Sequence, residues 1–289
     1  MSLTLLKAWQ SAKGRLEAVG LDSPVIDARL LVEAAADATR ADIVTDPHRP
    51  LSPDQETTLE DYLARRERRQ PVSHILGRKG FWKIMLSVTP DVLTPRPDTE
   101  VIVDYVLKQF PEEMAFTILD LGVGSGAIVL SILAERPRAK GLATDISDEA
   151  LAVARENAAN LGLSSQLAFA RGDWTDGLAD ASFDVIVSNP PYIATEVIET
   201  LDPEVKDHEP RLALDGGADG LDHYRRLAPQ IMRVLKPGGA FAVEIGYDQK
   251  DAVEALFNDA GANDVWTIKD LSNNDRVVVG TKNPLENRT

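Results

Sequence analysis

Thr117-Ile118-Leu119-Asp120-Leu121-Gly122-Val123-Gly124-Ser125-Gly126 runs from an apolar, strand-like pentapeptide into three glycines at every second position. Residues 127–135 then continue as an apolar helical segment. Glycines in such a turn let the chain reverse tightly and bring backbone N–H groups close to a ligand at a helix N-terminus. The spacing Gly-x-Gly-x-Gly, with Ala127 next, departs from the Gly-x-Gly-x-x-Gly of dinucleotide sites. The stretch reads as strand, ligand-binding loop and helix, the opening of an α/β unit.

The alternation continues downstream. Strands are predicted over 141–144, 167–170, 183–188 and 240–245, and helices over 147–161, 221–235 and 249–260. Such alternation makes a mostly parallel sheet covered on both faces. Residues 265–269 and 276–281 suit a closing antiparallel pair, giving seven strands in all. Upstream, 3–19 (with Gly20 behind it), 22–35 and 52–69 read as helices of a small bundle, with Pro24 and Pro53 in their first turns. Residues 81–88 read as a strand-like hairpin piece after Gly77 and Gly80. The expected organisation is a helical docking domain over 1–76, a β-hairpin linker over 77–93 and an α/β catalytic domain over 94–289.

Composition narrows the chemistry. The 289 residues contain no cysteine, which excludes disulfides, thiolate metal sites and a cysteine nucleophile. His48, His74, His208 and His223 are scattered, so no metal is expected. Apolar runs such as 127–134 fall far short of the roughly 20 residues of a membrane span. The start, Met1-Ser2-Leu3-Thr4-Leu5-Leu6-Lys7, carries no cleavable leader pattern, so a cytoplasmic protein is expected. The net charge of −15 is uneven: residues 1–85 carry +1 and residues 86–289 carry −16. An acidic body repels a phosphate backbone and attracts a basic or cationic partner. No stable nucleic-acid complex is expected. The one basic cluster, Arg65-Arg66-Glu67-Arg68-Arg69, reads first as a solvated helix end favoured by the macrodipole and otherwise as a docking surface for RNA or an acidic partner.

Three further elements complete a candidate site. Asp145 ends the second strand, 23 residues after Gly122, where an acid can accept bonds from two ribose hydroxyls. That position fits NAD or S-adenosylmethionine. Asp173-Trp174 follows the third strand and offers an acceptor and a flat indole to an adenine ring. Asn189-Pro190-Pro191-Tyr192 follows the fourth strand, at the carboxyl edge where open α/β sheets bind ligands. Its two prolines fix the backbone. The Asn189 side chain and the Pro190 carbonyl offer two acceptors to one planar amino or amide group, and Tyr192 can stack beside them. A planar nitrogen is a weak nucleophile because its lone pair is delocalised. Two acceptors holding both protons raise its electron density and aim it at a methyl donor.

The glycine loop, Asp145, Asp173-Trp174 and Asn189–Tyr192 together resemble the class I S-adenosylmethionine-dependent methyltransferases, whose Asn-Pro-Pro-Tyr form serves exocyclic amino groups of nucleobases and glutamine amides. Pro71–Gly77, Phe81-Trp82, Thr94–Glu100, Glu209-Pro210, Leu214–Leu221 and Glu244-Ile245-Gly246 with Gln249 resemble the PrmC (HemK) family, in order along the chain. The resemblance implies an α/β fold of Rossmann-like, mostly parallel type with seven strands. It also implies methylation of the N5 amide of glutamine in the Gly-Gly-Gln motif of peptide chain release factors. Gly122, Val123, Gly124, Ser125 and Gly126 would line the methionine part of S-adenosylmethionine, Asp145 the ribose, and Asp173 and Trp174 the adenine. Arg96 and Pro97 would close over that pocket. Asn189, Pro190, Pro191 and Tyr192 would hold the substrate amide, with Asn189, Pro190 and Tyr192 as the catalytic group. Val123 stands where family members usually have threonine; the missing hydroxyl removes a bond worth about 1 kcal/mol. Release factors are the expected partners, and a monomer the expected state. The alternative is an N6-adenine or other exocyclic-amino DNA or RNA methyltransferase, which the acidic body disfavours. Glu244 reads either as a strand-end acid facing water or as an acceptor steadying Asn189. Asp98 and Glu100 read either as helix-capping acids or, like Glu244, as acceptors that steady the site.

Overall fold

Residues 3–284, which the computed structural model describes, separate into two units. One comprises the chain up to Arg78 together with Pro203–His208; the other comprises Lys79–Asp202 and the chain from Glu209 onward.

The first unit is helical: α1 (Leu5–Ala18), α2 (Pro24–Ala35), α3 (Arg40–Thr45), α4 (Pro53–Glu67) and α5 (Val72–Leu76). Leu5, Leu16, Leu31, Leu59 and Leu63 are buried at its centre. Helix starts are written locally. Ser52 Oγ accepts from the Gln55 N–H while Gln55 Oε1 accepts from the Ser52 N–H, a reciprocal cap ahead of α4. Thr39 and Asp42 repeat the device at α3. The sequence pattern misses α3 and α5, which are too short to show a helical period.

The arginine run is not the solvated helix end its composition predicts. Arg66 is buried; its Nε donates to Asp27 Oδ2 at 2.8 Å and its Nη1 to Glu204 Oε1 at 3.1 Å. Arg69 also donates to Glu204, at 3.3 Å, and to the carbonyls of Val19 and Gly20. Arg65 bonds Gln70 and the His74 carbonyl. Buried Asp27 and the Glu204 segment draw these cations inward, and Arg68 remains exposed.

In the second unit, β1 (Arg78–Phe81) and β2 (Ile84–Ser87) form a hairpin, which the contacts from Lys79 on join to this unit and do not set apart. The Trp82 N–H at its turn donates to Glu100 Oε1 at 2.7 Å, so Glu100 braces the hairpin beside its place at the start of α6 (Glu100–Gln109). The main sheet comprises β3 (Thr117–Leu121), β4 (Lys140–Asp145), β5 (Leu167–Arg171), β6 (Phe183–Ser188), β7 (Leu235–Glu244), β8 (Ala262–Lys269) and β9 (Asp275–Lys282). Its order is β5-β4-β3-β6-β7-β9-β8. Pairings from β5 through β7 are parallel, and those of β9 with β7 and β8 are antiparallel. The helices α6, α7 (Ala127–Glu135), α8 (Asp148–Asn160), the short α9 (Thr195–Ile198), α11 (Asp222–Val234) and α12 (Lys250–Asp259) belong here; the short α10 (Pro203–Lys206) belongs to the helical unit.

Strand periodicity builds two cores. Ile118, Val185 and Val187 fall in one cluster, while Leu119, Leu121 and Ile186 fall in the other. Alternate side chains point to opposite faces, so both faces of the sheet are covered.

Arg66→Ala should destabilise the helical unit by about 3–5 kcal/mol, because it leaves Asp27 buried without its cation. Arg68→Ala should stay within about 0.5 kcal/mol of wild type. Urea unfolding followed by circular dichroism would measure both, and equal curves would show that the pairing carries no stability.

Candidate active site

The register of β3 against β6 builds the site. Leu121 pairs with Ser188, so Gly122 and Asn189 leave adjacent parallel strands at the same level. From β3 the chain steps to β4 and β5 on one side and returns to β6 on the other. This reversal is the switch point where open α/β sheets bind ligands at the carboxyl edge. Ser188, buried at that edge, donates its Oγ–H to the Leu121 carbonyl at 2.8 Å and ties the two exits together.

The glycine loop is fastened from β4. The N–H groups of Gly122 and Val123 donate to the Thr144 carbonyl at 2.9 and 3.0 Å. Asp145 Oδ2 accepts from the Gly124 N–H and its Oδ1 from the Ser147 N–H, each at 3.0 Å. Gly122 has φ +74°, and a Cβ there would stand 3.3 Å from the Trp174 ring. Gly126 serves packing: a Cβ would meet Leu130 Cδ1 at 2.7 Å.

A cavity of about 430 Å³ opens at this edge, within the roughly 300–1,000 Å³ of small-molecule sites. Gly122, Val123, Gly124, Ser125, Asp145, Asp173, Trp174, Arg96, Asn189 and Pro191 line it. Gly126, Pro97, Pro190 and Tyr192 do not. Pro97 opens a 3₁₀ turn, Pro190 is buried, and Tyr192 packs against the core beneath α11. Trp174 reaches the wall with φ +57°, a strained conformation for a bulky residue. Thr144 holds it there by donating Oγ1–H to the Trp174 carbonyl at 3.1 Å. His223 meets the indole edge-on at 5.3 Å.

Two predicted site residues carry partners the sequence does not reveal. Asp173 Oδ2 accepts from Arg226 at 2.6 Å, so part of its carboxylate is engaged. Arg96 pairs with Glu209 Oε2 at 2.6 Å, while Glu209 Oε1 accepts from the Thr94 N–H. Burial pushes the Glu209 carboxyl up, and Arg96 opposes that.

The Asn189–Tyr192 loop is braced from behind. Gln249 Nε2 donates to the carbonyls of Tyr192 and Gly220 at 3.0 and 3.2 Å, and its Oε1 accepts from the Gly246 N–H. A Cβ on Gly220, at φ +76°, would stand 2.4 Å from the Tyr192 oxygen. Burial pushes the Tyr192 phenol well above its usual range, so it remains neutral. Asn189 Nδ2 donates to Thr99 Oγ1 at 3.3 Å. The sequence reading leaves out Ser188 and Thr144 and gives Thr99, within Thr94–Glu100, no role of its own. Ser188 could have been found as the one polar residue closing an apolar strand.

A glycine cradle, a strand-end carboxylate and an indole around one cavity fit an adenosine-bearing cofactor. Residues 7–77 match the PrmC N-terminal domain, and residues 101–204 match the methyltransferase small domain. Over 286 residues the chain is 70% identical to the release factor glutamine methyltransferase of Caulobacter vibrioides, covering 99% of each chain. The chain belongs to the release factor glutamine methyltransferase family. The corresponding protein of Agrobacterium fabrum is 42% identical over 272 residues, 93% of this chain and 94% of its own. A methyltransferase structure from Pyrococcus furiosus superposes with a TM-score of 0.51 at 22% identity, over 68% of this chain and 88% of its own, and shares the class I fold. As a member of this methyltransferase family, the chain uses S-adenosylmethionine as its methyl donor.

Asp120 lies under the glycine loop, 1% exposed, with Oδ2 accepting from the Val129 N–H and Oδ1 without a partner. Burial, reinforced by the charge of Asp145, pushes its carboxyl up to about 7 from 3.8. The unfolded chain ionises near 3.8 while the folded protein keeps the proton to about 7, so stability falls as pH rises through that window. Asp120→Asn should therefore melt several degrees above wild type at pH 8, the gap closing towards pH 4. Melting curves at both pH values check this; a constant gap would mean that Asp120 is not held protonated.

Proposed function

We infer that this chain transfers the methyl group of S-adenosylmethionine to the N5 side-chain amide of the glutamine in the Gly-Gly-Gln motif of peptide chain release factors. One observation carries the reading: Asn189 leaves the sheet beside Gly122 on the wall of the same cavity, in a chain 70% identical to a release factor glutamine methyltransferase.

The cofactor supplies an electrophilic methyl group on a sulfonium. The backbone of Gly122, Val123, Gly124 and Ser125 holds its methionine end, Gly126 sets the turn, Asp145 takes the ribose, and Trp174 covers the adenine with Asp173 beside it. Arg96, fixed by Glu209, forms the outer wall, with Pro97 behind it and off the cavity surface. Asn189 Oδ1 and the Pro190 carbonyl accept the two N–H bonds of the substrate amide. This raises the electron density of its nitrogen and aims it at the methyl group. Pro191 keeps the loop rigid and Tyr192 packs behind the amide. The methylated nitrogen loses its extra proton to water, so the step demands no basic side chain.

The charge of −16 over residues 86–289 complements a basic partner and steers its approach. The helical unit serves to dock the release factor, in keeping with its match to the PrmC N-terminal domain. We place the reaction in the cytoplasm, where release factors work; no helix among the described residues is long and apolar enough to cross a membrane.

Labelled S-adenosylmethionine, an unmethylated release factor and nucleic acid, assayed side by side, test the reading. Label should appear on the Gly-Gly-Gln glutamine, located by peptide mass; label on nucleic acid alone would overturn it. Asn189→Ala should lower turnover about 100- to 1,000-fold, as loss of an aimed polar group does elsewhere, with cofactor affinity within about twofold. Asp145→Ala should weaken cofactor binding about tenfold or more.

A further inference from the structure

Glu244 is the last residue of β7, and Ser188 pairs with Val243, so Glu244 and Asn189 leave neighbouring strands side by side. Its side chain is 1% exposed, and Oε2 has no hydrogen-bond partner. Thr99 and Asn189 are polar neighbours that favour the ionised form of the carboxyl. Arg276 of β9, Asp98, Tyr192 and Tyr224 complete its surroundings, and the Tyr224 hydroxyl donates to the Glu244 backbone carbonyl at 2.8 Å. Of the two sequence readings of Glu244, the strand-end acid facing water therefore fails.

The groups packed around Asn189 decide what this acid does, because a carboxamide can sit in two orientations half a turn apart. An ionised carboxylate only accepts hydrogen bonds. Beside Glu244 and Thr99 Oγ1, the low-energy orientation presents Nδ2 to the two acceptors, as the 3.3 Å bond to Thr99 records. Oδ1 is left for the cavity that Asn189 lines. We propose that Glu244, acting with Thr99, is a positioning residue that locks the Asn189 amide with Oδ1 facing the substrate nitrogen. The proposal rests on the reading of Asn189 given above and deepens it.

The lock depends on charge. Burial pushes the Glu244 carboxyl up to about 7, while Thr99, Arg276 and Asn189 pull it down and Asp98 pushes it up. Once protonated, the carboxyl gains a donor that can bond Oδ1, and the amide is free to turn over. Methyl transfer should then fall on the acid side of about pH 7.

The test uses the full chain and a release factor substrate. Glu244→Gln keeps the shape but offers Asn189 both a donor and an acceptor. It should lower kcat about tenfold at pH 8, leave the KM for S-adenosylmethionine within twofold and flatten the acid limb of kcat. Thr99→Val should lower kcat similarly, and Thr99→Ser should recover most of that loss. Unchanged kcat with the acid limb intact in Glu244→Gln would overturn the proposal. So would equal losses of cofactor binding and kcat, which mark a merely structural residue. If wild type binds S-adenosylmethionine yet labels no release factor, the reading of Asn189 itself falls, and the lock with it.

Discussion

The parallel register of β3 and β6, sealed by Ser188 on the Leu121 carbonyl, is the constraint on which the site depends. It puts the glycine loop and the Asn189 loop at one height on neighbouring strands. Because side chains alternate faces along a strand, a one-residue slip would exchange the two cores and break the alignment together. The cost of misregister is therefore paid in buried Ile118, Leu119, Val185 and Ile186, and the chemistry inherits the precision of the core.

The same logic extends sideways. Thr144 of β4 pairs with Leu121, accepts from Gly122 and Val123, and holds Trp174 through its hydroxyl. Val243 of β7 pairs with Ser188 and brings Glu244 beside Asn189. The glycine loop, Trp174 and the start of the Asn189 loop are thus set by residues at the carboxyl ends of neighbouring strands. Gln249 and the close approach of Gly220 to Tyr192 then fix the one loop the strands do not hold directly.

Much of this was legible in the chain. Alternating strand-like and helical segments, glycine punctuation and Asn189-Pro190-Pro191-Tyr192 place the sheet and the loops at its carboxyl edge. What the sequence hides is pairing. Nothing local says that Arg66 turns inward to Asp27 and Glu204, because Glu204 lies 138 residues away. Nothing local says that Arg96 is spent on Glu209, 113 residues on, or that Asp173 shares its carboxylate with Arg226. Charge runs announce composition, whereas partners are chosen by topology. The short α3 and α5 escape for another reason, since a single turn carries no period.

Two acids, Asp120 and Glu244, end up almost wholly buried at the carboxyl edge, each with one oxygen lacking a partner. Apolar residues there would make a more stable sheet edge, because a buried acid without full hydrogen bonding costs free energy. Strained Trp174 adds to that cost. The two acids lie where β3 and β7 end, beside the glycine loop and the Asn189 loop, and Trp174 follows β5 at the same carboxyl edge. A site that must hold a weak nucleophile in one orientation needs fixed dipoles that do not relax, and burial provides them. The sheet can carry the cost because its two cores are large and covered, so local stability is exchanged for a preset geometry at the one edge that uses it.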